Sequence, residues 1–423
     1  MKKLLFIIFT GLFVLSGCND TVTETVTYMI NEPVFMSAEN FRSSVNVTTR
    51  AEVISNYGKM CFYDGYMYIS EAEKGIHIID NRDPSNPQNV GFIELIGNAD
   101  LAIRNGKLYA DAFIDLVWFD ITTPESPELE GRLENVFQKA LPLPPTDNDY
   151  GIDYQYLYGY DGSEGIIVGW EVKPRTASVP YEPNRRRRRW DIDYAMSPAA
   201  ESLGSNGING SMSRFALYKD YLYIVINNNM SVIDLSGDAP KQVAENMYIG
   251  WDVETIFSYK ENMFMGTPSG MLIYSVADPL NPVQMSVVSH IFGCDPVVVE
   301  DDIAYVTIHS GNFCGQNTNE LLIYDVSDVK NPQHIVSYAM KNPKGLGIDN
   351  STLFLCDDGL KVFDAKDPQT LLANQLVHYS GMDGFDVIPF NNVLMMIADD
   401  GFYQYDYSDL NKISQLSKLP VVR

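Results

Sequence analysis

The sequence predicts an all-β fold, a seven-bladed β-propeller with a long insertion between blades 2 and 3, on three observations. A short apolar phrase closed by Asp or Ser recurs seven times, ending at Asp80, Asp120, Asp234, Ser275, Asp325, Asp364 and Asp406. The gaps between these ends are 40, 114, 41, 50, 39 and 42 residues, so five fit one period, with ten extra residues in the fifth unit, and one holds a period plus about 74 residues. Each period carries four short β-rich runs and almost no helical periodicity, which is the grammar of a propeller blade rather than of a one-strand solenoid repeat.

Residues 1–17 read as a leader. Met1-Lys2-Lys3 precedes an apolar run from Leu4 to Leu15, twelve residues long. That is too short for a bilayer, which takes about 20 helical residues, and the basic front fits a signal peptide. Leu15-Ser16-Gly17-Cys18 resembles a bacterial lipobox, which implies lipidation of Cys18 after cleavage at Gly17. Loss of the leader removes two lysines, leaving −27 over 406 residues. Several acyl chains anchor firmly where one does not. Residues 18–57 form a polar, N-terminal segment, with Asn19 to Val26 as a Thr-rich tether.

The propeller itself is expected over residues 58–423. Within a unit an apolar stretch leads to a turn, as at Asn105-Gly106, Lys219-Asp220, Asp301-Asp302 and Asn391-Asn392, the Asn/Asp/Gly chemistry of hairpins. The phrase comes next, for example Gly75-Ile-His-Ile-Ile-Asp80, Asp115-Leu-Val-Trp-Phe-Asp120 or Gly401-Phe-Tyr-Gln-Tyr-Asp406. A Pro-rich turn such as Asp83-Pro84-Ser-Asn-Pro87 follows, where Pro interrupts no ladder. Val90 to Leu95 and Val283 to Val288 illustrate the final strand. Unit three is one residue short at Gly237-Asp-Ala-Pro240, and unit seven has Leu410 in place of Pro. At the seam of the ring, either Ala51 to Ser55 adds a strand to the last blade or Ile413 to Leu419 supplies its own.

The Leu116-Val-Trp-Phe-Asp120 type of phrase, present in all seven units, resembles the LVIVD-repeat family of bacterial propeller proteins. Gly75 to Pro87 and Gly293-Cys-Asp-Pro-Val-Val-Val299 are similar to the lipoprotein members of that family found in Bacteroidetes. The resemblance implies the propeller fold and brings no established activity.

Composition narrows the function classes. With 55 acidic against 30 basic residues, a net charge of −25 and a pI of 4.4, no nucleic-acid partner is expected, since phosphate binding needs a basic face. Apolar residues at 45% and aromatics at 12% give ample core and exclude a disordered chain.

Four cysteines follow Cys18. Cys294 opens unit five and Cys314 lies in its ten-residue insertion, so in an oxidising compartment a bridge between them would restrict that loop, contributing ~3 kcal/mol. Two free thiols are the alternative. Cys61 and Cys356 sit in expected strands and read as small buried hydrophobes.

Catalytic signatures are missing. The five His lack HExxH or HxH spacing, Asp161-Gly-Ser-Glu-Gly165 starts a serine elbow with the wrong residue, and Gly345-Leu-Gly347 fails the dinucleotide fingerprint. No catalytic residue, metal or cofactor is expected from these patterns. Three features stand out. Asp100, Asp252, Asp295 and Asp386 precede the first strands of units two, four, five and seven. Repeat equivalence puts them at one mouth of the channel, where they either hold a cation or a basic ligand or accept backbone N–H bonds in their own loops. The insertion, about 138–213, carries alternating Tyr150, Tyr154, Tyr156, Tyr158 and Tyr160 with Trp170. They read as one face of a strand, which either stacks on sugar or protein or packs the insertion onto the propeller. Arg185 to Arg189 lies among eight basic and ten acidic residues of the insertion, a locally balanced surface.

The expected role is a binding or scaffolding module, lipid-anchored at a bacterial cell envelope and in the outer membrane, for an envelope protein or glycan partner. The alternative is an envelope enzyme, for example carbohydrate-active, with a carboxylate site at the channel mouth.

Overall fold

Turn chemistry sets the architecture. The structure, a computed structural model, describes residues 23–137, 141–142, 145, 150–153, 155–156, 160–180, 213–226, 228–250, 253–289, 296–309 and 318–422. Asp64-Gly65, Asn105-Gly106, Asp301-Asp302, Asn350-Ser351 and Asn391-Asn392 carry positive φ at both positions, from 45° to 80°. Such turns match the twist of the two strands they join. The Asp closing each phrase then accepts the N–H two residues on, Asp80 from Arg82, Asp234 from Ser236 and Asp406 from Ser408, and Ser275 does the same for Ala277. This Asx-type bond turns the chain toward the outer strand.

Seven four-strand sheets result, one of them extended by a fifth strand. From inner to outer strand they run from Tyr57–Tyr63 to Gln88–Glu94, Leu101–Arg104 to Glu128–Leu133, and Phe215–Tyr218 to Lys241–Tyr248. The rest run from Thr255–Tyr259 to Val283–Ser289, Val297–Glu300 to Gln333–Ala339, Leu346–Asp349 to Gln375–Tyr379, and Gly384–Phe390 to Ser414–Pro420. This is a seven-bladed β-propeller with a long insertion between blades 2 and 3. Every third strand pairs with its outer neighbour through a register shift, which adds twist. In every blade the residue after the third strand donates back to the first turn, as Asn81 does to Gly65, Leu235 to Asp220 and Tyr407 to Asn392. Both kinds of turn therefore share one end of each sheet, the turn face. Blade-to-blade connections and the hairpins between second and third strands share the other end, the loop face.

Seven apolar clusters fill the seven junctions between blades. Tyr68 and Ile78 of blade 1 meet Leu108 and Phe119 of blade 2, and so on round to Met67 and Ile79 of blade 1 against Ile388 and Phe402 of blade 7. The ring is thus closed by side-chain packing. Of the two ways to finish the last blade, Ser414–Pro420 is used, while Ala51 to Ser55 forms no strand. The N-terminal segment joins the other side of the seam: Asn46–Thr48 adds the fifth strand, to the outer edge of blade 1.

Thr23 to Val26, read from sequence as part of a tether, begin a strand. Thr23–Met36 pairs antiparallel along its length with Ile166–Pro180 of the insertion, a two-stranded ribbon whose far half is largely exposed. Its near end is fixed by Ile30 and Ile167, both buried, and by the short helix Ala38–Ser43, whose Phe41 enters the junction of blades 1 and 2. No helix among the described residues is long and apolar enough to cross a membrane.

Candidate functional site

Charged residues converge where inner strands begin, at the loop-face end of the channel. Lys59 interrupts the otherwise uncharged strand Tyr57–Tyr63 and is fully buried, with Nζ 3.5 Å from Asp100 Oδ2. Asp100 precedes the inner strand of blade 2 and also accepts the N–H groups of Leu101 and Arg214, both at 2.9 Å. Arg214, at the same position in blade 3, sends Nη2 to Asp111 Oδ2 at 3.2 Å. Asp111 in turn accepts from the N–H groups of Ala99 (2.7 Å) and Asp100 (2.8 Å) and from the amide of Asn98 (3.2 Å). Asp386 completes the group from blade 7. It is fully buried, and Gly345 of blade 6 lets it in, since a Cβ there would stand 2.3 Å from Asp386 Oδ1.

The electrostatics follow from burial. Desolvation pulls the Lys59 ammonium below the ordinary lysine value and Arg214 adds to this, while Asp100 and Asp386 both pull it back. Burial likewise pushes the Asp111 carboxyl up to about 6, against the guanidinium of Arg214. The group links blades 1, 2, 3 and 7 through charges that compensate one another inside the ring.

Asp100 and Asp386 come together around Lys59, and the cation they face is the chain's own. Asp252 and Asp295 lie outside the described residues, as do Cys18, Cys294, Cys314, Tyr154, Tyr158 and Arg185 to Arg189. Among the described residues no group of three or more His, Cys, Asp or Glu could hold a metal ion. Cys61 and Cys356 are free and buried, and burial raises both thiols well above the ordinary value.

The alternating tyrosines do not make a strand where they are described. Asp153 accepts the N–H groups of Gln155 and Tyr156, with its side chain and its carbonyl respectively, and starts a helical turn. Tyr156 and Tyr160 then pack around Phe35 at 5.8 and 5.4 Å, and the Trp170 indole N–H donates to the Pro142 carbonyl at 3.0 Å. These rings fasten the insertion to the N-terminal ribbon.

Sequence reasoning missed Lys59, Arg214 and Asp111. A lysine inside an uncharged strand was the available signal, because such a residue must bring its countercharge with it. Also missed was Glu71 on the same face, which takes N–H bonds from Ser55 and Asn56, a bond from the Ser55 hydroxyl, and contacts from His77 Nε2 (3.1 Å) and Lys74 Nζ (3.3 Å).

Toward the turn face, the part of the channel beside blades 1, 2, 3 and 7 has an apolar lining. A cavity of about 100 Å³ lies between Met60, Phe62, Ile103, Leu217, Ile388 and Phe390. A second, of about 220 Å³, opens beside it between blades 1 and 7, sharing Phe62, Phe390 and Met395.

The LVIVD repeat model matches residues 60–93 and 209–240. The chain carries LVIVD repeats. The first match covers most of blade 1, and the second ends in the turn after the third strand of blade 3, so the repeat is the blade. No curated protein matches the chain. Among solved structures, the periplasmic gluconolactonase PpgL of Pseudomonas aeruginosa is similar with a TM-score of 0.53 at 9% identity, over 89% of this chain and 96% of that one. The computationally designed Ika8 protein gives 0.49 at 9% identity over 88% and 89% of the two chains. Sqt1 of Saccharomyces cerevisiae gives 0.46 at 11% over 92% and 100%. The likeness of the chain to the gluconolactonase is one of fold.

Proposed function

We propose that the protein is an exported binding or scaffolding module, lipid-anchored at a bacterial cell envelope in the outer membrane, of the lipoprotein type found in Bacteroidetes. Its partner is an envelope protein or a glycan. One observation carries the binding reading: Lys59 and Arg214 are set against Asp100, Asp111 and Asp386 inside the ring, so the charges gathered at the channel join blades. Recognition then falls to the broad faces. Crosslinking in intact envelopes, paired with a glycan array, should give one saturable partner. Failure of both would remove the reading.

The anchor rests on Met1-Lys2-Lys3, the apolar run and Leu15-Ser16-Gly17-Cys18. Labelled palmitate should enter the wild type and not Cys18→Ser, which should leave the membrane fraction. Label retained in that variant refutes the anchor.

A second reading, an envelope enzyme, is favoured by Asp111, a carboxyl raised to about 6 beside Arg214. Acids with such values often serve in proton transfer. A panel of sugar lactones and glycosides is the assay, and turnover abolished by Asp111→Asn with the fold intact would establish it over the binder.

A further inference from the structure

We infer that the turn face docks a basic polypeptide segment, one bulky apolar side chain of which enters the cavity between blades 1 and 7. The inference rests on the binding reading and names its surface and partner chemistry.

The cavity supplies the apolar half. Its 220 Å³ has room for one aromatic or long aliphatic side chain. Phe62 and Phe390 form one wall with ring centres 4.9 Å apart, and Phe390 is 42% exposed at the channel mouth. Of the polar side chains in the lining, Asn391 is exposed at the rim, while Asn81 and Arg82 are already engaged. The side-chain amides of Asn81 and Gln404 bond each other in both directions, at 2.9 and 2.8 Å. The Arg82 guanidinium is paired with Asp80 at 2.5 Å and lies over the Tyr66 ring. An entering group therefore meets hydrocarbon, and apolar contact is what the pocket rewards.

Charge decides the occupant. The fourteen turns of this face, counted from the residue that ends each third strand, hold eighteen acidic and six basic side chains, a formal −12 of the chain's −25. Asp64 and Asp83 of blade 1 adjoin the lining residues Gly65, Arg82 and Pro84 in the chain, and Asp406 of blade 7 pairs with the lining residue Val393. A low-dielectric opening on a face with a large excess of one sign of charge attracts and orients the opposite sign, and Arg82 at the rim is neutralised by Asp80. A segment with lysine or arginine on both sides of an aromatic residue satisfies rim and cavity together.

The probe is the fluorescent peptide Lys-Lys-Trp-Lys-Lys, titrated by anisotropy against the purified full chain at low and at physiological salt. Its Gly-centred analogue tests the cavity and Glu-Glu-Trp-Glu-Glu tests the rim. Lys-Lys-Trp-Lys-Lys should bind about tenfold more tightly than the Gly-centred peptide, as expected for one buried aromatic anchor, and the acidic peptide should not bind. Phe390→Ala should cost about fivefold or more with the protein still folded at the assay temperature, because the ring is 42% exposed. Asp64→Asn with Asp83→Asn should weaken binding and flatten its salt dependence. Asn keeps the cap on the Ser85 N–H and tolerates the φ of 45° at position 64. Equal binding of the two basic peptides, binding indifferent to Phe390→Ala, or no binding at all overturns the inference. An envelope partner still crosslinked by a protein that ignores the peptides would sink this surface while sparing the binding reading.

Discussion

Glu71 is the carboxylate whose surroundings can be read most directly in solution. Burial by itself would raise it, but bonds from His77, from the Ser55 hydroxyl and from the Ser55 and Asn56 N–H groups outweigh burial and hold it at about 2, against an ordinary 4.5. A carboxyl lowered on folding stabilises the fold above its unfolded value and loses that contribution as pH falls through the folded one. The wild type should therefore lose about 3 kcal/mol between roughly pH 4.5 and pH 2 from this group. Urea titrations across that range should show a shallower acid limb in Glu71→Gln, and an unchanged limb would refute the assignment. Other residues were legible only as departures from the repeat. Gln404 is the one polar side chain at its place in the phrase, where the other units have Ile78, Trp118, Val232, Ile273, Ile323 and Val362. Asn81 is likewise the one polar residue directly after the phrase, where others have Ile121, Leu235, Val276, Val326, Ala365 and Tyr407. The two departures meet each other. A buried amide needs a partner, and sequence order hides one that lies 323 positions away.

Among the elements, the glycine that opens several phrases has a stated cause. A Cβ at Gly75, Gly270 or Gly359 would stand 2.0, 2.2 or 2.0 Å from the carbonyl oxygen of the outer strand. Gly359→Ala, whose φ of 108° is also unfavourable for alanine, should cost about 2 kcal/mol or more in urea unfolding, whereas Glu320→Ala, at the same place in blade 5, should stay within about 0.5 kcal/mol. Equal effects would deny the clash its role. In blade 2 the same place is taken by Asp115, which binds Arg42 and Arg132, each at 2.9 Å, and so seats the N-terminal helix. The strand Thr23–Met36 was not legible, because its partner lies in the insertion and a polar Thr-rich stretch reads alike as strand or tether. In the fifth unit, non-reducing peptide mapping should recover Cys294 linked to Cys314, and two free thiols would defeat the bridge.

For the whole molecule, the question is how a ring whose described residues share no strand across its seam stays closed. Blades 7 and 1 are joined by an apolar cluster, by Gln404 donating to Asn81 and to the Pro84 carbonyl at 2.8 and 3.0 Å, by the Tyr57 hydroxyl on the Leu419 carbonyl at 2.9 Å, and by Val422 N–H on Ile54. Gln404→Ala should therefore cost about 2–3 kcal/mol, because it strands a buried amide. Its double-mutant cycle with Asn81→Ala should show about 1–2 kcal/mol of coupling. Strict additivity in urea unfolding would mean the pair does not latch the seam. The sequence by itself determined the blade, its count and its turns, because those depend on residues a few positions apart, whose φ preferences and apolar alternation repeat every forty or so residues. Only the tertiary structure decided what closes the ring, which charges face Lys59, what pairs with the N-terminal strand and where the apolar mouth lies. Each of these joins residues from different blades or segments, and closing the circle brings together chain ends that no local pattern relates.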